Sequence, residues 1–337
     1  MSGPTSGRTP GRLNDRRTDG PAGSTADREG PEPTDSDPLV SVVLPTYERA
    51  SVLDEAIESV LAQSYERLEL IVVDGGSTDD TPAVVRSFSD PRLRYVRRDR
   101  PRGVSAARND GIRESSGELV AFVDSDDRWR EDKLRRQVTA YRRATDACGV
   151  VYTGMAKEYG EPHSRDGASG DVYREVLTMS VPTYTSTLLV ARTALADCGG
   201  FDERLPCFED WELCLRLARA YAFEYVDAPL VIKGTCGDNV SADPDALVAA
   251  VDRLEREYDL PRGTLARLLG DAGVTYCEAG RLDESRPYLL RSLRLNPAQP
   301  NTAAALLFSL ANSPGLFDAL MGRLYAVERR FEGGRFG

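Results

Sequence analysis

Residues 68–81 read LELIVVDGGSTDDT, and the order of residue types in that stretch decides the fold. Leu68 to Val73 is almost continuously apolar, the pattern of a parallel strand buried on both faces. Asp74 to Asp80 is a polar turn in which Gly75 and Gly76 permit a sharp change of direction, and a helix follows to about Phe88. The same strand–turn–helix order extends outward both ways. On the N-terminal side, Leu39 to Leu44 reads as a strand. Ser51 to Gln63 carries apolar residues at 52, 53, 56, 57, 60 and 61, which is helical spacing. On the C-terminal side come a strand at Leu93–Arg97, a helix at Gly103–Ser115 and a strand at Glu118–Val123. A helix at Glu131–Ala144 and a strand at Cys148–Thr153 complete the series. The alternation predicts an α/β fold: a Rossmann-like, doubly wound, mostly parallel sheet.

Past 154 the pattern weakens. Glu161 to Gly170 reads as a polar loop, Thr185 to Val190 as a strand, Gly199 to Asp202 as a turn and Glu209 to Ala222 as a helix. Beyond Gly234 the chain is mostly helical, at about 242–258, 263–279, 283–295 and 301–333. Gly273, Tyr276, Gly280 and Pro297 sit at tetratricopeptide spacing, with Ser285 and Ser292 at its small-residue positions. One unit is not an array, so a tetratricopeptide-like hairpin and an ordinary packed helical pair both stay open. Residues 1–38, rich in Gly, Pro, Ser, Thr and mixed charge, cannot bury a core and read as disordered. The expected organisation is therefore 1–38, a disordered segment; 39–235, the α/β domain; and 236–337, a C-terminal helical extension.

Formal charge is −11 and the isoelectric point about 4.9, which argues against a nucleic-acid-binding surface. Of 43 basic residues only Lys133, Lys157 and Lys233 are lysines. An acidic, lysine-poor surface suits a high-salt, haloarchaeal type of cytoplasm, although GC-rich coding gives the same arginine bias. The six cysteines form no CxxC pair, and several, such as Cys214, lie among apolar residues, as free thiols in a reducing compartment do. His163 is the only histidine, so a histidine zinc site or a Ser-His-Asp triad is not expected, and any metal must be held by oxygen. The N-terminus is not a signal peptide and no apolar run is long enough for a membrane span. The expected location is cytoplasmic or peripheral at the inner membrane face. The apolar segments Ala303–Leu310 and Leu316–Leu324 suit either membrane contact or helix packing.

The expected strands end in Pro45-Thr46-Tyr47, in Asp74 and in Asp124-Ser125-Asp126-Asp127, the sheet edge at which such folds bind ligands. Two carboxylates about 4 Å apart repel by roughly 4 kcal/mol at an effective dielectric near 20. A divalent cation would relieve that repulsion. Mg²⁺ or Mn²⁺ takes one or two carboxylates alongside substrate phosphates, which suits Asp124, Asp126 and Asp127. Helix capping and pairing with Arg128 is the plainer account of any one acid. Ser77 or Thr78 can cap the next helix or meet a ligand. Arg108, in a small-residue helix, can reach an anion or stay solvated. Glu209 and Asp210 open a helix, where they complement its dipole or present a general base.

Taken in order, PTYER (45–49), VDGGSTDDT (73–81), GVSAARNDGI (103–112), VDSDDRW (123–129), GGFDE (199–203) and FEDWEL (208–213) resemble the family 2 glycosyltransferases of the GT-A fold. The resemblance covers residues 39 to about 235. It implies inverting, hexosyltransferase-type transfer from a nucleotide-diphospho-sugar to a hydroxyl of a glycan, a polyprenyl-linked or a protein-linked acceptor. It further implies that Pro45, Thr46, Tyr47 and Asp74 line the nucleoside pocket and that Arg108 lies near the nucleotide. Asp124 and Asp126 would be the Asp-x-Asp pair, with Asp126 or Asp127 on the metal, and Asp210 the base. Many members carry a second acid where this chain has Gly75, which leaves the nucleobase open. A non-catalytic scaffold acting through the helical tail is the competing reading, and intact acids argue against it.

Overall fold

The computed structural model describes residues 37–157, 167–234 and 243–311. Expectations for residues 1–36, His163, most of the 161–170 loop, Cys236 and the segment after 311, including Leu316–Leu324, lie outside the described residues.

The strands are β1 (Val40–Thr46), β2 (Leu68–Asp74), β3 (Leu93–Arg97), β4 (Leu119–Phe122), β5 (Arg128–Trp129), β6 (Cys148–Lys157), β7 (Leu189–Ala191) and β8 (Ala222–Lys233). They form one sheet in the order β3-β2-β1-β4-β7-β6-β8-β5. The first four are parallel, as the alternation predicts. Beyond β4 the sheet is mixed: β7 runs antiparallel to both β4 and β6, β8 is parallel to β6, and β5 is antiparallel to β8. The strand expected at 148–153 is thus β6, longer than read and separated from β4 by β7. The strand expected at 185–190 divides into a 3₁₀ turn, Thr185–Thr187, and the short β7.

The helices of the sheet region are α1 (Leu53–Leu61), α2 (Thr81–Ser87), α3 (Val104–Glu114), α4 (Lys133–Arg143), α5 (Tyr173–Leu177), α6 (Arg192–Cys198) and α7 (Glu209–Ala218). Then come α8 (Pro244–Glu257), α9 (Arg262–Glu278), α10 (Leu282–Leu295) and α11 (Pro300–Ala311). Helix α1 buries Leu53, Ala56, Ile57 and Val60, the stripe that its spacing predicts. Helix α3 lies on β1 and β2. A Cβ at Gly111 would stand 2.3 Å from Val43 Cγ1, so glycine is what allows that approach.

One buried cluster runs from the strands through α7 into α8 and α9. A smaller one lies between α9, α10 and α11 and includes Cys277, Leu289 and Phe308. Gly273 closes on Leu289, and Ser292 Oγ donates to the Ala266 carbonyl at 2.6 Å. The small residues of the tail therefore serve close helix packing. No described helix is long and apolar enough to cross a membrane. The described cysteines are free thiols, and Cys214 is fully buried.

Register aligns the strand ends. Thr46 of β1 pairs with Asp74 of β2, and Val43 pairs with Phe122 of β4. The chain therefore leaves β1, β2 and β4 at one edge of the sheet.

Candidate active site

That edge opens on a cleft of about 570 Å³. Pro45, Thr46 and Tyr47 line it from the end of β1, and Arg108 from α3. Asp124 and Asp126 enter from the turn after β4, and Asp210 from the first turn of α7. Two of the residues singled out in the sequence, Asp74 and Asp127, do not line it.

Asp74 is fully buried. Its Oδ1 accepts from the amides of Gly76 (3.0 Å) and Ser77 (2.8 Å) and from Ser77 Oγ (2.6 Å). Its other oxygen accepts from the Tyr95 hydroxyl. It shapes the turn beneath the cleft. The hydroxyls of GGSTDDT are used in the same way. Ser77 Oγ accepts from Glu48 N (2.9 Å), and Thr81 Oγ1 accepts from Arg49 N (2.9 Å). Thr78 N and Oγ1 donate to Glu48 Oε1 at 2.7 and 3.0 Å. Together they clasp the loop after β1, in which Glu48 takes a left-handed φ of 54°. The bond to the start of α2 comes from Asp79, whose Oδ1 accepts from Thr81 N at 3.0 Å, rather than from Ser77 or Thr78. The Tyr47 ring stands 3.4 Å from where a Cβ on Gly75 would be.

Arg108 is neither solvated nor free. Its side chain is 4% exposed; Nη2 donates to Asp124 Oδ1 at 2.6 Å and Nη1 to Glu209 Oε1 at 2.7 Å. Its guanidinium carbon lies 5.1 Å from the centre of the Phe201 ring. Burial alone would favour the neutral form, but the two carboxylates outweigh it and hold the guanidinium charged. Asn109, next in α3, donates to the Phe201 carbonyl (2.9 Å) and accepts from its amide (2.8 Å). One helix thus joins VDSDD, GGFDE and FEDWEL.

Asp210 opens α7 behind Phe208, which is held at φ 63°, a left-handed conformation costly for a bulky residue. Desolvation, then the neighbouring Glu209 carboxylate, raise the Asp210 pKa above the usual carboxylate range. Burial, then Asp124, likewise raise Asp126. Asp127 differs. It is 5% exposed and accepts from Ser186 Oγ on one oxygen and from Gly234 N (3.0 Å) on the other.

Ser186 and Arg100 were not singled out in the sequence. Neither carried a signal there; Glu209 was read beside Asp210 as an acid opening the helix, but not as a partner of Arg108. Arg100 also lines the cleft and is exposed.

Among the described residues no three His, Cys, Asp or Glu side chains form a cage. Asp126 and the Asp124 oxygen not taken by Arg108 are hard oxygen donors, and Asp126, raised first by burial and then by the Asp124 charge, stands where a cation would offset both. That fits an ion held by one or two carboxylates, with substrate and water completing its shell.

The family model described as glycosyl transferase family 2 matches residues 41–200. An uncharacterized glycosyltransferase of Rickettsia typhi is 30% identical over 239 residues, covering 68% of this chain and 73% of its own. The chain belongs to glycosyltransferase family 2. Solved structures place this glycosyltransferase in the GT-A fold. S. aureus TarS 1-349, in complex with UDP-GlcNAc, matches with a TM-score of 0.57 at 19% identity, over 83% of this chain and 89% of that one. The mannosyltransferase PcManGT of Pyrobaculum calidifontis, in complex with GDP-Man and Mn²⁺, matches with a TM-score of 0.54 at 23% identity, over 86% and 80%. The family match ends before α7, so the first-turn acids of α7 lie outside it.

Proposed function

We propose that this family 2 glycosyltransferase moves a sugar from a nucleotide-diphospho-sugar to a hydroxyl of a glycan, lipid-linked or protein-linked acceptor, with inversion. The observation that carries the reading is that Asp126 and Asp210 face one cleft, with the Pro45–Tyr47 segment and Arg108 on its walls.

Pro45, Thr46 and Tyr47 flank the nucleoside, above a turn made rigid by Asp74. Asp126 and the free oxygen of Asp124 would hold a divalent cation, Mg²⁺ or Mn²⁺. Such an ion, when bound, offsets the charge that builds on the departing diphosphate. Arg108 keeps Asp124 turned into the cleft and neutralises part of the acid cluster, so that an anionic donor can enter. Asp210 takes the proton of the acceptor hydroxyl as that oxygen attacks the anomeric carbon. The carboxylate acts as a base and forms no bond to the sugar, and attack from the face opposite the leaving group inverts the centre. A raised pKa suits this work, because a base is most effective when its pKa lies near the working pH.

The test is a titration of UDP, GDP and dTDP with and without Mn²⁺, paired with donor turnover. Metal-dependent binding of one nucleotide and transfer by the wild type are expected, with binding retained and transfer lost in Asp210→Asn. Binding without any transfer, across donors and acceptors, would favour the scaffold reading.

A further inference from the structure

The third acid of VDSDD stands apart from the other two, and its surroundings show what it does. Residues 124–127 form a tight turn, closed by the Asp127 amide donating to the Asp124 carbonyl at 3.1 Å. The turn holds two like charges toward the cleft, and their repulsion tends to open it. Ser186, in the 3₁₀ turn before β7, is 1% exposed. Its hydroxyl accepts from the Asp124 amide at 3.0 Å and donates to Asp127 Oδ2, so one oxygen atom bridges both ends of the turn. The carbonyl of Ser186 accepts from Trp129 Nε1 at 3.1 Å, which fixes Ser186 itself. The other Asp127 oxygen accepts from Gly234 N, at the end of β8. Only glycine fits there, since a Cβ on Gly234 would fall 1.9 Å from the Asp126 carbonyl.

We propose that Ser186 and Asp127 are positioning residues for the donor site: they lock the 124–127 turn from beneath so that Asp124 and Asp126 present their carboxylates to the cation and the diphosphate. The inference rests on the donor reading given above. Asp127 is then an anchor and not a ligand. Serine is required at 186 because the site needs one donor and one acceptor on a single small group. The mixed half of the sheet acquires a functional part, since β7 and β8 carry the two contacts that set the geometry of the β4 edge.

The experiment measures binding of the nucleotide diphosphate, at a fixed Mn²⁺ concentration, by calorimetry on the full chain. Thermal unfolding and the donor KM and kcat are measured beside it. Ser186→Ala removes the bridging hydroxyl, leaving an amide and a carboxyl oxygen unpaired. Metal-dependent affinity is expected to fall about tenfold. Donor KM should rise by a similar factor and kcat at saturating donor should hold, because α7 and Asp210 are untouched. Val138→Ala, a buried truncation in α4, is the control; it should lower the unfolding temperature and leave the affinity unchanged. Asp127→Asn, which keeps the shape but cannot accept at both ends, should reproduce the Ser186→Ala result, and it decides the matter if Ser186→Ala does not fold. Wild-type affinity in a folded Ser186→Ala or Asp127→Asn variant overturns the proposal while leaving the donor reading intact. Absence of metal-dependent nucleotide binding by the wild type overturns the donor reading, and the anchor with it.

Discussion

Arg108 divides one buried charge between Asp124, at the end of β4, and Glu209, at the start of α7. Removing it leaves two carboxylates facing each other. Breaking a fully buried pair costs about 3–5 kcal/mol; with Asp124 partly exposed the discounted figure for Arg108→Met is about 2–3 kcal/mol. Thermal or urea unfolding of the variant measures it. Asp210 carries a prediction of opposite sign. Its folded pKa is raised, first by desolvation and then by Glu209. The folded state therefore holds the proton more tightly than the unfolded state does. The resulting stabilisation is complete below the ordinary aspartate range and is lost as pH rises through the raised value. At neutral pH Asp210→Asn should unfold at a higher temperature than the wild type, and the difference should vanish in acid. The same substitution should lower kcat at least about 100-fold if Asp210 serves as the proposed base. Wild-type kcat/KM should climb with pH through the same raised pKa, because only the ionised carboxylate can take a proton. At this scale the sequence was legible wherever a residue type had few alternative uses. Asp126 and Asp210 could be picked out because acids at a strand end and a helix start need a reason to be there. Asp127 could not be told from its neighbours, since its role depends on Ser186 and Gly234, far away in the chain.

Among the elements, those with a strong period were legible and those set by their neighbours were not. Helix α1 shows its stripe in sequence, and β2 its apolar run. Strand β5 is two residues long and lies inside the acid motif, too short to show a period. Strand β8 contains Pro229, which argues against a strand interior. Its pairing with β6 accommodates that proline by shifting register around Gly154. The local pattern was overridden there by partners distant in sequence. Gly111 in α3 sets two such effects against each other. Alanine is the better helix former by about 1 kcal/mol. Its Cβ would nevertheless fall 2.3 Å from Val43 Cγ1, and overpacking typically costs about 1–3 kcal/mol. Gly111→Ala should therefore be net destabilising in chemical denaturation. It should also weaken nucleotide binding, because α3 carries Arg108 and would be pushed off the sheet.

Across the whole molecule, the helical tail shares the core of the sheet region instead of hanging from it. Leu247, Val251 and Leu254 of α8 and Leu268 and Leu269 of α9 belong to the same buried cluster as the strands. A polar tie reinforces the contact. Glu212 of α7 is 3% exposed, is gripped by Arg216 at 2.7 and 2.8 Å, and accepts from the Tyr258 hydroxyl beyond α8. Arg216 also donates to the Gly200 carbonyl at 2.6 Å, which connects the GGFDE turn to the same point. Because α8 and α9 share the larger cluster with the strands, the sheet region and the tail are expected to unfold together. Both tryptophans, Trp129 and Trp211, are buried in the sheet region, whereas α8 to α11 contribute much of the helical signal. Tryptophan fluorescence and far-ultraviolet circular dichroism should therefore trace one coincident melting curve. Two separated transitions, with helical signal lost before the fluorescence changes, would mean that the tail folds on its own. In that case the tie at Glu212 would be a contact between two domains. Tyr258→Phe distinguishes these pictures further. Within a single core it leaves Glu212 short of a donor, and the shared transition should fall by about 1–2 kcal/mol with both probes still coincident. Between two domains it should separate the curves.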